Sequence, residues 1–297
     1  MSLSVPIASL SKVHKRYGAV MALDGLNLEL RRGELLALLG SNGAGKTTAL
    51  GVLTGRLAAD AGEVKLFGAD PKQAAVRRRI GVMLQEARLP DTLRVKELVH
   101  QFSCYYPQPR AVQDTLALAG LSALADRAYG ALSGGQQRRV QFALAIAGCP
   151  ELVFVDEPTS DLDIEARRGF WQVIRSLRDA GTSIVLTTHY LEEADALADR
   201  VVMMANGRLL AEDTPAGLKA RARSARIRCI TKLTLAEVSR IAGVQSVEAE
   251  GGRLSLRCDD SDQVLRHLLA NDPTLTGIEI RPLSLEEAFL SLMGEAA

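Results

Sequence analysis

Residues 40–48 of the chain read GSNGAGKTT. They fit the pattern G-x-x-x-x-G-K-[ST]. The apolar run LLALLG at 35–40 precedes them and helical sequence follows, so they lie between a strand and a helix. That setting separates a phosphate-binding loop from a chance glycine-rich turn. Gly40, Gly43 and Gly45 let backbone N–H groups wrap around phosphate oxygens, and the helix behind presents its positive end. Lys46 is expected at the β- and γ-phosphates, and the Thr47 hydroxyl on a Mg²⁺ ion.

A second stretch, LVFVDE at 152–157, completes the chemistry. A buried strand ending in Asp156 places a carboxylate beside the Mg²⁺ water shell. Glu157 follows directly and reaches a water in line with the γ-phosphate, which makes it the candidate general base. Two acids at a strand end could also simply cap the next turn; the phosphate loop upstream decides against that. The chain has no N-K-x-D tetrapeptide to read guanine.

Short β-rich runs alternate with helical patterns up to about residue 222, the signature of an α/β layer fold. LLALLG (35–40), LVFVDE (152–157), SIVLTTH (183–189) and RVVMMANG (200–207) read as buried strands of a central sheet. LNLEL (26–30) and EVKLFG (63–68) alternate and read as an antiparallel region. Residues 92–148 are mainly helical and read as an inserted subdomain. DTPAGLKARA (213–222) is expected to close this first domain as a short helix, with Thr214 as N-cap and Pro215 at the first helical position.

Residues 223–297 read differently: strand 226–230, helix 234–242, strands 245–250 and 253–258, helix 262–270 and strand 277–281. The order βαββαβ is the ferredoxin-like pattern. A last helix, SLEEAFLSLMG, opens on a capping box at Ser284 and Glu287.

LSGGQQRR at 132–139 raises a question. Ser133 and Gln136 form a capping box, and Val140, Ala143, Leu144 and Ala147 continue on one apolar stripe, so a helix begins here. Yet Gly134 and Gly135 fill its first turn, where glycine costs about 0.5–1 kcal/mol against alanine. Capping explains Ser133 and Gln136 and leaves both glycines unexplained.

Lys plus Arg number 36 against 35 Asp plus Glu, so no global basic field draws in nucleic acid. RRR at 77–79 and RARSARIR at 221–228 read as solvated surface or linker, with a membrane-facing role as the alternative for the second. Cys104, Cys149, Cys229 and Cys258 form no CxxC pair, which argues against zinc and against a disulfide framework. The N-terminus lacks an apolar secretory core, and no apolar stretch reaches the roughly 20 residues that span a bilayer.

Over residues 5 to about 220 the order of motifs resembles the ATP-binding cassette family. The matches are Tyr17 in KRYG, the loop at 40–48, Gln85 in GVMLQE, the signature LSGGQ at 132–136, VDEPTSDLD at 155–163 and His189 in LTTH. The resemblance implies ATP and Mg²⁺ as ligands and ATP hydrolysis as the activity. Residues Gly40, Ser41, Asn42, Gly43, Ala44, Gly45, Lys46, Thr47 and Thr48 would hold the phosphates. Tyr17 would stack on adenine, packing in the sheet being the alternative. Gln85, with Thr47 and Asp156, would ligate Mg²⁺, and as a catalytic residue it would also bind the water and sense the γ-phosphate. His189 would hold the γ-phosphate, Glu157 and the attacking water in place.

The same resemblance implies a head-to-tail homodimer. Ser133, Gly134, Gly135 and Gln136 of one chain would meet the γ-phosphate held by the other, and Asp163 matches the aspartate of the intervening loop. Asp161 departs from the small residue usual there. THYLEEADALADRVVMMANGRLLAEDTP and LSLEEAFLSLMG look like the bacterial ABC-2 type exporters, whose permeases are separate membrane chains. That implies a peripheral protein on the cytoplasmic face of the inner membrane, with a small regulatory or dimer-stabilising C-terminal domain. A soluble cassette acting on ribosomes or nucleic acid, or a pure ATP-dependent regulator, is the alternative. Ribosomal cassette factors carry two units and this chain has one; repair ATPases need a coiled coil that residues 49–131 have no room for.

Overall fold

In the computed structural model, residues 5–160, 162–221, 225–282 and 284–295 are described. Asp161 therefore lies outside the described residues. The chain divides into two units, 1–212 and 213–297.

The first unit runs β1 (Ala8–Tyr17), β2 (Val20–Leu30), β3 (Leu35–Leu39), α1 (Lys46–Leu53), β4 (Ala61–Leu66), α2 (Ala74–Arg77) and β5 (Ile80–Met83). It continues with α3 (Val95–Ser103), α4 (Val112–Leu118), α5 (Gly134–Ile146), β6 (Leu152–Asp156), α6 (Ile164–Asp179), β7 (Ser183–Thr188), α7 (Leu191–Leu197), β8 (Arg200–Ala205) and β9 (Arg208–Asp213).

The six-stranded sheet has the order β5-β6-β7-β3-β8-β9. Its pairs β5/β6, β6/β7, β7/β3 and β3/β8 are parallel. Strands β3, β6 and β7 are buried along their whole length, as expected for continuous apolar runs covered on both faces. Their parallel direction brings the segments after β5, β6, β7 and β3 to one edge. That carboxyl edge is where open α/β sheets bind ligands. The antiparallel sheet β2-β1-β4 adds the strand Ala8–Tyr17, which the alternating runs at 26–30 and 63–68 had not announced.

Helices α3, α4 and α5 form the inserted subdomain around Val95, Leu98, Leu116, Val140 and Leu144. Helix α5 has a second apolar side, with Phe142, Ala145 and Ile146 packed on Met83, Val153 and Val155 of the sheet. Strand β5 comes so close to it that a Cβ on Gly81 would stand 1.9 Å from the Ala145 carbonyl oxygen. The helix that starts at the signature is thereby fixed to the sheet edge.

A buried ion pair locks the opposite side. Arg200 donates from Nε and Nη2 to the two carboxylate oxygens of Glu34 at 2.6 and 2.9 Å, and also reaches Glu212. Arg200→Ala would strand a buried carboxylate. It is expected to destabilise the unit by about 3–5 kcal/mol in denaturant unfolding, with Arg200→Ala/Glu34→Ala losing clearly less than the two single variants summed.

The second unit contains α8 (Pro215–Arg221), β10 (Ala225–Ile230), α9 (Leu235–Val238), β11 (Val244–Glu250), β12 (Arg253–Cys258), α10 (Ser261–Asn271), β13 (Thr276–Pro282) and α11 (Leu285–Glu295). Its antiparallel sheet has the order β11-β12-β10-β13, and Ile227, Cys229, Leu256 and Cys258 pack against Val238, Val264 and Leu268. The βαββαβ order is present as expected.

Two details differ from the sequence reading. Helix α9 spans four residues instead of 234–242, because at Arg240 and Ile241 the hydrogen bonds shift to carbonyls three residues back and Gly243 turns the chain at φ +89°. The boundary falls at residue 212 instead of 222, since α8 packs against α11 and belongs to the second unit. Its N-cap is as expected: Gly217 N donates to Thr214 Oγ1 at 3.0 Å.

Candidate active site

The loop after β3 is a turn closed by Ala44 N donating to Ser41 O at 3.1 Å. It is pinned by Gly207 N donating to Ala44 O, also at 3.1 Å. Gly45 has φ +101°, and a Cβ there would sit 2.4 Å from the Ala22 carbonyl oxygen, so only glycine fits where the loop turns into α1. Ser41, Asn42, Gly43 and Thr47 are exposed, Thr48 is half-buried, and Ala44 and Lys46 are buried. Lys46 Nζ donates to Gly40 O at 2.7 Å and Ser41 O at 3.2 Å, which holds the ammonium across the loop. Burial pushes its pKa down, against the pull of Glu157 and Asp156.

Asp156 ends β6 and is 2% exposed. Burial is the main influence on its pKa and raises it, countered by hydroxyl donation from Thr187 and Thr47. Thr47 Oγ1 lies 3.5 Å from Asp156 Oδ1. A hydroxyl and a carboxylate facing each other beside a phosphate loop are hard oxygen donors that suit Mg²⁺.

Glu157 stands one residue further on, with φ +46°. A non-glycine residue in the left-handed region costs of order 1–3 kcal/mol and persists only where its surroundings hold it. Here Glu157 N donates to Thr187 O at 3.0 Å, Ser160 Oγ donates to Glu157 O at 3.2 Å, and Arg138 also donates to that carbonyl. The carboxylate is met from both neighbouring strand ends. Gln85 Nε2 donates to Glu157 Oε2 at 3.1 Å, and His189 Nδ1 lies 3.4 Å from the same oxygen. Gln85, Glu157 and His189, spread over 105 residues of sequence, thus meet at one oxygen.

Arg138 was missed from the sequence. It is 5% exposed, and its Nη1 donates to Leu84 O at 3.0 Å, Gln85 O at 2.7 Å and Gln141 Oε1 at 2.9 Å, while Nη2 reaches Asp156 O and Glu157 O. One guanidinium thus ties the start of α5 to the Gln85 segment and to the end of β6. The available signal was its register: Arg138 falls four residues before Phe142 and seven before Ala145, on the sheet-facing side of the helix.

The signature lies elsewhere. Ser133 Oγ accepts from Gln136 N at 3.3 Å and Gln136 Oε1 accepts from Ser133 N at 3.1 Å, the expected capping box. Ser133, Gly134, Gly135 and Gln136 line a pocket of about 480 Å³ together with Arg139 and Asp163, and no residue of 40–48 lines it. Asp163 caps α6, its Oδ1 accepting from Ala166 N at 2.8 Å. A Cβ on Gly134 would meet nothing within 4 Å. Packing among the described residues therefore does not require that glycine. Tyr17 is 47% exposed at the end of β1, at the turn into β2, and Lys15 Nζ lies 5.6 Å from its ring centre.

Comparison with known proteins identifies relatives of the chain. Residues 23–160 match the family model described as ABC transporter. The chain is 36% identical over 302 residues to the daunorubicin/doxorubicin resistance ATP-binding protein DrrA of Streptomyces peucetius, covering 95% of this chain and 91% of that protein. It is 35% identical over 315 residues to the Nod factor export ATP-binding protein I of Ralstonia nicotianae, covering 98% and 95%. Among solved structures, the dimeric post-hydrolysis state of the ATP-binding cassette MJ0796 bound to ADP and Pi superposes with a TM-score of 0.64 at 26% identity, over 70% of this chain and 98% of that one. Since the likeness runs through both units and not only through the phosphate loop, the chain belongs to the ATP-binding proteins of the ABC transporter family and is one of its ATPases.

Proposed function

We propose that this ATPase is the motor subunit of an ABC-2 type exporter, working as a homodimer on separate membrane-spanning permease chains. Residues 40–48 wrap the triphosphate, with Lys46 on the β- and γ-phosphates and Tyr17 against the adenine. Thr47, Asp156 and Gln85 are the residues that would hold Mg²⁺, which supplies charge neutralisation at the bridging phosphates. Glu157 takes a proton from the attacking water, and His189 orients that carboxylate. Ser133, Gly134, Gly135 and Gln136 close on the nucleotide of the second copy, with Asp163 beside the seam. ATP then favours the closed dimer and its cleavage removes that preference.

The observation that carries the dimeric reading is the pocket at 133–136, separate from the phosphate loop and opened by a glycine that packing among the described residues does not need. Likeness to a drug resistance protein and to Nod factor export proteins supports export. Among the described residues no helix is long and apolar enough to cross a membrane, which is consistent with a peripheral subunit. A groove of about 550 Å³ with Ile80, Val82, Phe102 and Tyr106 as walls and Arg56 and Arg77 at its rim offers a seat for a permease's cytoplasmic helix. The second unit is read as regulatory or dimer-stabilising.

Detergent-solubilised membranes provide the test. The tagged chain is expected to copurify with a polytopic membrane protein, and Phe102→Glu with Tyr106→Glu to lose that partner while still hydrolysing ATP. Recovery with ribosomes or DNA and no membrane partner would overturn the exporter reading.

A further inference from the structure

Helix α7 turns three side chains into the first unit: Ala194, Leu197 and an acid, Glu193. Glu193 is 0% exposed. A buried carboxyl group without donors is costly, so its partners define what the position does. Thr159 Oγ1 donates to Glu193 Oε1 at 3.1 Å, and Trp171 Nε1 donates to the same oxygen at 3.0 Å. Thr159 lies two residues after Glu157, and Trp171 lies on α6, the helix that Asp163 caps. Burial pushes the Glu193 pKa up, against donation from Thr188, Trp171 and Thr159.

The backbone of Glu193 belongs to the turn that carries His189. Glu193 N donates to Tyr190 O at 3.1 Å, and Tyr190 N donates to Thr188 Oγ1 at 3.0 Å. The Tyr190 ring lies 4.1 Å from the His189 ring and 4.5 Å from the Arg167 guanidinium of α6. The β6/β7 ladder ends at the pair Asp156 and Thr187. Beyond it, the 3.4 Å spacing of His189 Nδ1 and Glu157 Oε2 depends on what bridges the two segments. The Glu193–Thr159 hydrogen bond is such a bridge, and both its residues are fully buried.

We propose that Glu193 is a positioning residue for hydrolysis, which fixes His189 against Glu157 by clamping the His189 turn to Thr159 and Trp171. A misplacement of about 1 Å at the reacting groups can cost on the order of 10²-fold in rate. The clamp holds Thr159 and Trp171 and not residues 40–48, so it bears on turnover and not on ATP affinity. This role rests on the reading of Glu157 as the base and His189 as its partner.

The test is steady-state ATPase kinetics of the full chain. Glu193→Leu is expected to lower kcat about ten- to a hundredfold with KM for ATP within about twofold of the wild type. Glu193→Gln keeps an acceptor oxygen for Thr159 and Trp171 and should recover most of that loss. The double variant Glu193→Leu/His189→Ala should turn over no more slowly than His189→Ala, whereas a merely structural loss would multiply. Trp171 is the chain's single tryptophan. Its emission should shift in Glu193→Leu, where the indole N–H loses its acceptor, and keep its wild-type position in Glu193→Gln. Wild-type kcat in Glu193→Leu overturns the proposal. If His189→Ala is then inactive, the reading of the site stands; if His189→Ala is also unaffected, that reading falls with it. Equal losses in the Leu and Gln variants, or multiplied losses in the double variant, overturn the proposal as well.

Discussion

Glu157→Gln is expected to lower ATP turnover by about 10²–10⁴-fold while leaving ATP binding intact. Glutamine keeps the length of the side chain, and its carbonyl oxygen can still accept from Gln85 Nε2, now 3.1 Å from the carboxylate. What it loses is the capacity to take a proton. The backbone at 157 stays held by Thr187, Ser160 and Arg138, so the left-handed conformation survives the change. If hydrolysis is what lets two chains part, the variant should also accumulate as an ATP-dependent dimer, visible by light scattering after gel filtration. Two readings are thus checked at once. Loss of turnover without dimer accumulation would keep the base and discard the switch; wild-type turnover would move the base elsewhere, with His189 as the next candidate.

The legibility of this site in sequence follows from the kind of constraint each residue obeys. Gly45, Lys46 and Thr47 answer to a local rule, since a phosphate loop requires its residues within one turn; spacing alone exposes them. Asp156 and Glu157 close a buried apolar strand, and an acid there conflicts visibly with the run that precedes it. Gln85 and His189 obey no local rule. They follow β5 and β7, and the parallel order β5-β6-β7 brings them to the Glu157 carboxylate. Only a family pattern could single them out. Arg138 was hidden because its role consists of backbone carbonyls from two distant segments, which leave no trace in residue identity. Glu193 was hidden for a related reason: nothing in LEEAD tells one acid from the other until α7 turns Glu193 inward onto Thr159 and Trp171.

The fold shows the same division. Strands β3, β6, β7 and β8 declared themselves because a strand covered on both faces must be apolar throughout. Strand β1 did not, because SLSKVHKRY mixes lysine and serine with apolar residues and its bulged register against β2 and β4 breaks the alternation. Helix α9 was overestimated because residues 239–242 carry no stop signal before Gly243.

Ser133→Arg is expected to leave ATP binding by the single chain unchanged, to abolish the ATP-dependent dimer and to reduce hydrolysis by about a hundredfold or more. The local cost is small: losing the Ser133 cap on Gln136 N takes about 1 kcal/mol from the start of α5, whose position is fixed further along by Phe142, Ala145 and Ile146 on the sheet. The steric and electrostatic cost falls on whatever enters the pocket of about 480 Å³ at 133–136. An arginine stem would occupy that space, and no residue of 40–48 lines it, so a chain that hydrolysed ATP alone would not notice. Ser133→Ala separates the two effects, since it removes the same cap and hydroxyl but leaves the room. It should dimerise and retain most of the activity that Ser133→Arg loses. Equal activity in Ser133→Arg and the wild type would mean that a single chain completes the reaction, and the empty space beside Gly134 would then need another occupant.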